Sequence, residues 1–392
     1  MSSEPAKSAP IPSAASKRRA FSSALGGLIA IAAGIGVGRF VYTPILPPMI
    51  AALGLSKSAA GLIASANFLG YLTGALLVAM PTLRGSRHGW LLGALATSAL
   101  TTAAMGLAQG LPAFLFLRLV GGAASAFVLI LASTAVLEGL AETGHGELSA
   151  LHFAGVGSGI AISAALVAAL LSLGQEWRAL WLASGVLALV GFTAAALLLP
   201  RRSPATPHRD GPAGGHAGRA FQRFVAAYGL YGFGYIITAT FLIAIVRSTP
   251  AIREWEPVIW VVFGLAAVPS VALWTWIARP LGIPWAFALA CIVEAVGVMA
   301  SVGWQSTAGV FTAAVLVGGT FMGLTALGLL GARNLATGDP RRAMAMITGA
   351  FGVGQIVGPV FAGFVSDRLN SFTLPSAAAA AALLVAAVLA VL

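Results

Sequence analysis

The sequence predicts an all-α integral membrane protein of twelve transmembrane helices in two six-helix pseudo-repeats. Three observations predict it. Of the 392 residues, 59% are hydrophobic and 8% charged, with a mean hydropathy of +0.94, so the apolar share is well above and the charged share well below those of a soluble domain. The apolar residues fall into twelve runs of about 20, the length that crosses a bilayer as a helix. One long polar interruption, PRRSPATPHRDGPAGGHAG, falls at mid-chain, and short motifs recur on either side of it.

Residues 1–20 form a polar tail rich in Ser, Ala and Pro that carries Lys7, Lys17, Arg18 and Arg19. The tail lacks the apolar centre and cleavage site of a signal peptide, so the first helix is expected to stay in the mature protein. That helix, over 21 to 49, holds the chain's chief anomaly. Arg39 lies well inside an apolar run, where a guanidinium costs at least about 2.5–3.5 kcal/mol unless it faces a bundle interior or wet cavity. Gly34, Gly36 and Gly38 precede it and permit close packing; Pro44, Pro47 and Pro48 follow and break the helix. Tyr42 and Thr43, three and four residues on, fall on the Arg39 face at helical spacing.

Helices over 57–80, 89–109, 112–138, 148–173 and 177–199 complete an N-terminal bundle of residues 21–199. The central loop, 200–219, reads as a flexible linker. Runs over 220–247, 257–278, 285–303, 308–331, 343–366 and 373–392 then give a C-terminal bundle of residues 220–392. Trp90, Trp177, Trp255, Trp285 and Trp304 sit at predicted span ends, where amphipathic rings belong. The 48 glycines fit helices that approach closely.

Motifs repeat between the halves. GVGRF at 36–40 aligns with GFGYI at 232–236, an offset of 196 that sets Tyr235 opposite Arg39. Gly155 and Gly159 share the spacing of Gly354 and Gly358, an offset of 199; Gly121 and Gly122 pair with Gly318 and Gly319 at 197. Three short matches at nearly one offset suggest duplication.

The net charge of +11 does not indicate nucleic acid, because the basic residues cluster in short loops instead of forming a patch. With the amino terminus in the cytoplasm, 15 of the 22 Lys and Arg lie on that side and five (Lys57, Arg178, Arg247, Arg253, Arg368) on the other; Arg39 and Arg118 lie within spans. The bias places both termini inside. The lone cysteine, Cys291, excludes an intrachain disulfide and any multi-cysteine metal site and reads as an apolar filler. No Cys/His pair, H-x-x-x-H, paired carboxylates or P-loop appears, and the first-helix glycines follow no strand, so enzymatic and dinucleotide-binding readings find no support. No loop is long enough to fold as a signalling domain.

Two polar groupings extend the Arg39 neighbourhood. Tyr228, Tyr231 and Tyr235 fall at i, i+3 and i+7 with Thr238 continuing the face, a stripe that either walls a cavity or packs between helices. Asn67 and Tyr71 make a smaller pair of the same sort. Glu294, the acid nearest the centre of a span, is either a proton carrier or a neutral, hydrogen-bonded structural residue. Glu138 and His152, near the cytoplasmic ends of their spans, are further proton-coupling candidates, with an interfacial histidine as the alternative.

The string GRFVYTPILPPM, with GFGYIITATFL at 232–242 and GGTFMGLTALGL at 318–329, resembles the YbfB/YjiJ-type branch of the major facilitator superfamily of transporters. The resemblance covers nearly the whole chain from Phe21 onward. It implies two six-helix halves with a substrate site between them near the midplane. Arg118, Gly122 and Ala126 follow a pattern similar to the superfamily's fourth-helix motif, whose arginine is linked there to proton coupling or helix packing; snorkelling to the interface is the alternative. Gly354, Gly358 and Pro359 resemble its glycine-proline motif, but Ile160 stands where the first-half proline would be, which weakens an antiporter reading; Gly155 and Gly159 are then hinge or packing residues. The loop GALLVAMPTLRGSRH keeps Arg84, Gly85 and Arg87 of the usual gating motif but has no aspartate.

The expectation is a secondary transporter of a small organic, anionic, carboxylate-like solute across the bacterial inner membrane by alternating access, with Arg39, Tyr42, Thr43, Asn67, Tyr228, Tyr231 and Tyr235 at the site. A multidrug-type exporter of hydrophobic or cationic compounds is the alternative. No cofactor or metal is expected. The partners are the substrate, protons as a candidate coupling ion, and the bilayer, with the protein a monomer.

Overall fold

The computed structural model describes residues 14–80, 85–199, 218–336 and 340–392. Most of the tail, Arg84 of the gating-type loop and nearly all of the central linker lie outside the described residues. The described chain is helical: α1 (Ala14–Ile31), α2 (Tyr42–Leu53), α3 (Lys57–Ala79), α4 (Arg87–Met105), α5 (Gly110–Thr143), α6 (Ser149–Ser172) and α7 (Trp177–Leu198), then α8 (Arg219–Ser248), α9 (Glu256–Ala267), α10 (Ser270–Leu281), α11 (Ile283–Gly303), α12 (Thr307–Leu335), α13 (Pro340–Leu369) and α14 (Thr373–Val391). Among the described residues, ten spans are long and apolar enough to cross a membrane, eleven if the bent pair α9 and α10 is one span. α4, with 19 residues, is less apolar than these and packs along α5 and α7.

Two predicted helices are broken. α9 and α10 meet at a 43° bend. The bend falls at Pro269, which lacks the N–H a continuous helix needs. The first span, Ser16–Leu53, changes from α1 to a wide π turn over Ala32–Val37, then a turn from Gly38 to Val41, before α2 begins. Several helices, among them α5 and α13, run past the predicted apolar runs. Trp90, Trp285 and Trp304 are exposed as expected, but Trp177 is buried, edge-on to Phe114 at 6.0 Å.

Corresponding contacts recur in the two halves. A Cβ at Gly155 would lie 2.2 Å from Leu28 O and one at Gly159 2.4 Å from Ala32 O; at Gly354 and Gly358 the neighbours are Gly229 O at 2.2 Å and Phe233 O at 3.0 Å. Each half therefore crosses its first and fifth spans at glycines. Gly122 would meet Asn67 O at 1.9 Å, and Gly318 would meet Phe263 O at 2.4 Å. This contact pairs Gly122 with Gly318, one residue off the sequence alignment that paired it with Gly319, and restores the 196-residue offset of the GVGRF motif.

The halves touch along α3 and α13, α6 and α9, and α2 and α8. Gly61 lies beside Pro359 O and Gly157 beside the Gly264 carbonyl, so backbones meet directly at both crossings. α1 begins at what is here called the amino-terminal face. At the opposite face, Asp367 of α13 accepts from the Lys57 and Ser58 backbone N–H groups at 2.8 Å each and from the Ser58 hydroxyl, while Lys57 Nζ donates to Asn370 Oδ1 at 2.9 Å and Ser366 O at 3.2 Å.

Candidate functional site

The break in the first span positions Arg39. The π turn redirects the ladder, with Arg39 and Phe40 N–H both reaching Ile35 O at 3.1 and 3.3 Å and Thr43 N–H reaching Phe40 O at 3.3 Å. The Gly38 and Arg39 carbonyls thus have no helical donor, and Arg118 supplies one to each: Nη1 donates to Gly38 O at 3.2 Å and Nη2 to Arg39 O at 3.0 Å. Arg118 is buried, not snorkelling, and lies over the Tyr42 ring at 5.0 Å.

The Arg39 side chain, 6% exposed, enters the bundle between two rings of α3. Its guanidinium carbon is 4.4 Å from the Tyr71 centroid and 4.6 Å from that of Phe68, with Phe40 at 5.5 Å. Desolvated cation–π contacts of about 2 kcal/mol each offset part of the burial cost, and the Tyr71 hydroxyl lies within reach of the guanidinium, yet two of its nitrogens stay without an acceptor. Arg39 Nε and Nη2 have no hydrogen-bond partner in the protein. Their N–H bonds share one edge of the planar fork, the edge that takes both oxygens of a carboxylate side-on.

Tyr42 and Thr43 do not join this edge. The turn between Gly38 and Val41 ends the helical register on which their shared face rested. Tyr42 Oη donates to Ala60 O at 2.8 Å, and Thr43 Oγ1 donates across the seam to Ala239 O of α8, also at 2.8 Å. Asn67, fully buried, donates through Nδ2 to Arg118 O at 3.0 Å and leaves Oδ1 unpartnered.

The tyrosine stripe divides. Tyr228 and Tyr231 turn their hydroxyls to α12, Tyr228 donating to Thr325 O at 3.2 Å and Tyr231 donating to Phe321 O with Thr325 Oγ1 at 3.0 Å, which is packing within one half. Tyr235 instead meets the Gln355 amide of α13. Thr238 Oγ1 and the second amide atom of Gln355 are buried without partners. Rings join the two halves here: Phe40 meets Phe321 edge-on at 5.7 Å, and Tyr235 lies parallel to Phe321 and Phe351, each 5.9 Å away. Sequence reasoning missed Gln355, Phe68, Phe321 and Phe351. Gln355 carried a usable signal, an amide within an apolar span directly after Gly354.

The other candidates lie apart from this cluster. Glu138 is about half exposed and sits 3.6 Å from Arg87, a surface ion pair worth at most about 1 kcal/mol. His152 is buried, not interfacial, with Nε2 2.9 Å from Ser133 Oγ and Nδ1 unpartnered beside Gly27. Glu294 of α11 is fully buried, with the Thr320 hydroxyl beside its carboxyl group and no closer partner. The neighbouring Thr320 hydroxyl donates to Leu316 O. At the opposite face a cavity of about 760 Å³ between the halves is lined by Pro48, Trp177, Arg178, Arg247 and Arg253 among others.

Residues 31–391 match the family model described as "Uncharacterised MFS-type transporter YbfB". No curated protein matches the chain. Among solved structures, a point mutant of the nucleoside transporter NupG is similar with a TM-score of 0.69 at 14% identity, over 94% of this chain and 97% of that one. A bacterial homolog to the human lysosomal transporter Spinster, inward-facing and occupied, is similar with a TM-score of 0.64 at 15% identity, over 96% of this chain and 94% of its own; the unoccupied form gives 0.63. At such identities the likeness speaks to the fold alone.

Proposed function

The chain belongs to the YbfB-type family of major facilitator transporters, and from that membership we propose that it moves a small organic carboxylate by alternating access, with Arg39 as the residue that receives the anion. The observation that carries this reading is the free edge of Arg39. Each buried donor left unmade costs about 1–3 kcal/mol, and two lie side by side on one guanidinium clamped between rings. A carboxylate satisfies both in one geometry, and a cation satisfies neither. Phe40, next to Arg39, meets Phe321 of the other half, on which Tyr235 stacks, so a guest held by both halves would stabilise the state through which they exchange.

Arg178, Arg247 and Arg253 line the opposite-face cavity, but Glu176 lines it too and Arg247 is paired with Glu256 at 2.9 Å, so this mouth adds little to the anion reading, which rests on Arg39. The excess of basic residues beside the amino-terminal face supports cytoplasmic termini in a bacterial inner membrane. Glu294, buried and unpaired, is the proton-coupling candidate that the packing favours over Glu138. The protein acts as a monomer in this reading.

The aromatic density around Arg39 favours one competing reading, export of lipophilic or cationic compounds. A thermal-stability screen of the detergent-purified protein separates the two. A ligand at 100 times its Kd stabilises by about 2.7 kcal/mol, so small carboxylates are expected to raise the midpoint of the wild type and to lose the effect in Arg39→Lys, which keeps the charge but not the fork. Lipophilic cations raising the midpoint equally in both proteins would replace the anion reading with the exporter one.

A further inference from the structure

The two halves present different chemistry to the seam, and the difference constrains the substrate beyond its charge. The N-terminal half offers a fork: Arg39 with its Nε and Nη2 edge free, held between Phe68 and Tyr71. The C-terminal half offers rings in a shared orientation. Tyr235 is parallel to Phe351 within 4° and to Phe321 within 14°, and Phe351 also stacks on Tyr231 at 5.5 Å. Phe40, the residue after Arg39, touches this array edge-on through Phe321, and Leu72, the residue after Tyr71, packs against Gly352, next to Phe351. The fork and the rings therefore meet at one place in the seam.

We propose that the transported anion is a planar aromatic carboxylate, its carboxylate on Arg39 and its ring stacked on the parallel array of Tyr235, Phe321 and Phe351. This rests on the anion reading of Arg39 given above. Aromatic pairs favour offset-stacked or edge-to-face arrangements and add about 0.5–1.5 kcal/mol beyond the area buried. Tyr235, Phe321 and Phe351 are buried and pack on one another, so a guest ring would join the array as the halves part, a flat one keeping this preference and a saturated one of the same size losing it. A molecule charged at one end and flat at the other also bridges the halves, which an anion held by Arg39 alone does not.

Three probes of matched size, benzoate, cyclohexanecarboxylate and the neutral benzamide, with the smaller butyrate as a fourth, test the proposal by binding to the purified protein. The expected result is benzoate tighter than cyclohexanecarboxylate by about three- to tenfold, butyrate weaker still, and benzamide not bound. In Phe351→Leu the benzoate advantage should shrink toward unity while cyclohexanecarboxylate binding persists, which also shows that the variant is folded. Equal affinity for benzoate and cyclohexanecarboxylate in the wild type overturns the aromatic specificity and leaves the anion reading standing. Benzamide binding as well as benzoate overturns the anion reading itself. No binding of any of the four overturns the aromatic proposal.

Discussion

The break after Val37 leaves the Gly38 and Arg39 carbonyls without helical donors, and one guanidinium reaches both. Arg118 thereby holds the backbone of the residue whose side chain is the candidate site. Interhelical hydrogen bonds in bilayers average about 0.6 and reach about 1.7 kcal/mol each, so Arg118→Leu is expected to lower stability by about 1–3 kcal/mol, read as a fall in the thermal midpoint. Arg118→Lys, whose donors radiate from one nitrogen and not from a planar fork, should fall between the two. A Lys variant with the wild-type midpoint and no transport would move Arg118 from support to coupling. Arg39 itself was legible, because a charge in an apolar run demands a partner. Its neighbours were less so. Tyr42 and Thr43 were placed by helical spacing, and the π turn with its following break removes that spacing; the break falls among the glycines, whereas the prolines expected to break the helix lie inside α2. Gln355 and the Phe321–Phe351 wall come from the other half, and no local pattern says which aromatic residues will meet across a seam.

Among the elements, the glycine crossings decide how closely helices approach, and they differ sharply in the room they leave. At Gly122 of α5 a methyl group would lie 1.9 Å from the Asn67 carbonyl oxygen, on backbone that cannot yield without moving α3. At Gly349 of α13 nothing lies within 4 Å of the same position. Gly122→Ala should therefore destabilise by at least about 1–3 kcal/mol, the usual cost of overpacking. Gly349→Ala should be neutral or stabilise by up to about 1 kcal/mol through helix propensity. Paired thermal melts compare them directly, and equal shifts would show that α3 and α5 can separate at no cost. These crossings were partly legible. Spacing alone picked out Gly122, Gly155, Gly159, Gly354 and Gly358, but their partners are backbone carbonyls, which carry no residue-specific signature.

Across the whole molecule, the two-half architecture was readable from hydropathy and the near-constant repeat offset, because both are global patterns that survive local irregularity. Which side chains tie the halves together is not a repeat property, and only the structure reveals it. The tips of α3 and α13 are joined by Asp367 capping the first turn of α3 and by Lys57 reaching back to Asn370 and Ser366. Deeper in the same seam, Thr43 Oγ1 reaches Ala239 O and Ser65 Oγ reaches Ile356 O at 2.7 Å. In the proposed alternating-access cycle these contacts have to part, so the carboxylate at the tip would contribute to the balance between closed and open states at this face. Exposed charge interactions are worth about 0.2–1 kcal/mol, which bounds the effect of Asp367→Asn at about a fivefold shift toward the open state. A cysteine at Ala239, buried at the α2–α8 seam, reports the change once the buried Cys291 is replaced by alanine. Labelling by a membrane-impermeant maleimide applied to the opposite face should quicken by up to that factor in the Asp367→Asn protein. Unchanged labelling would mean that the Gly61 crossing and the Ser65 and Thr43 hydroxyl contacts hold the face shut alone, and the gate would then lie in the seam below the charged tip.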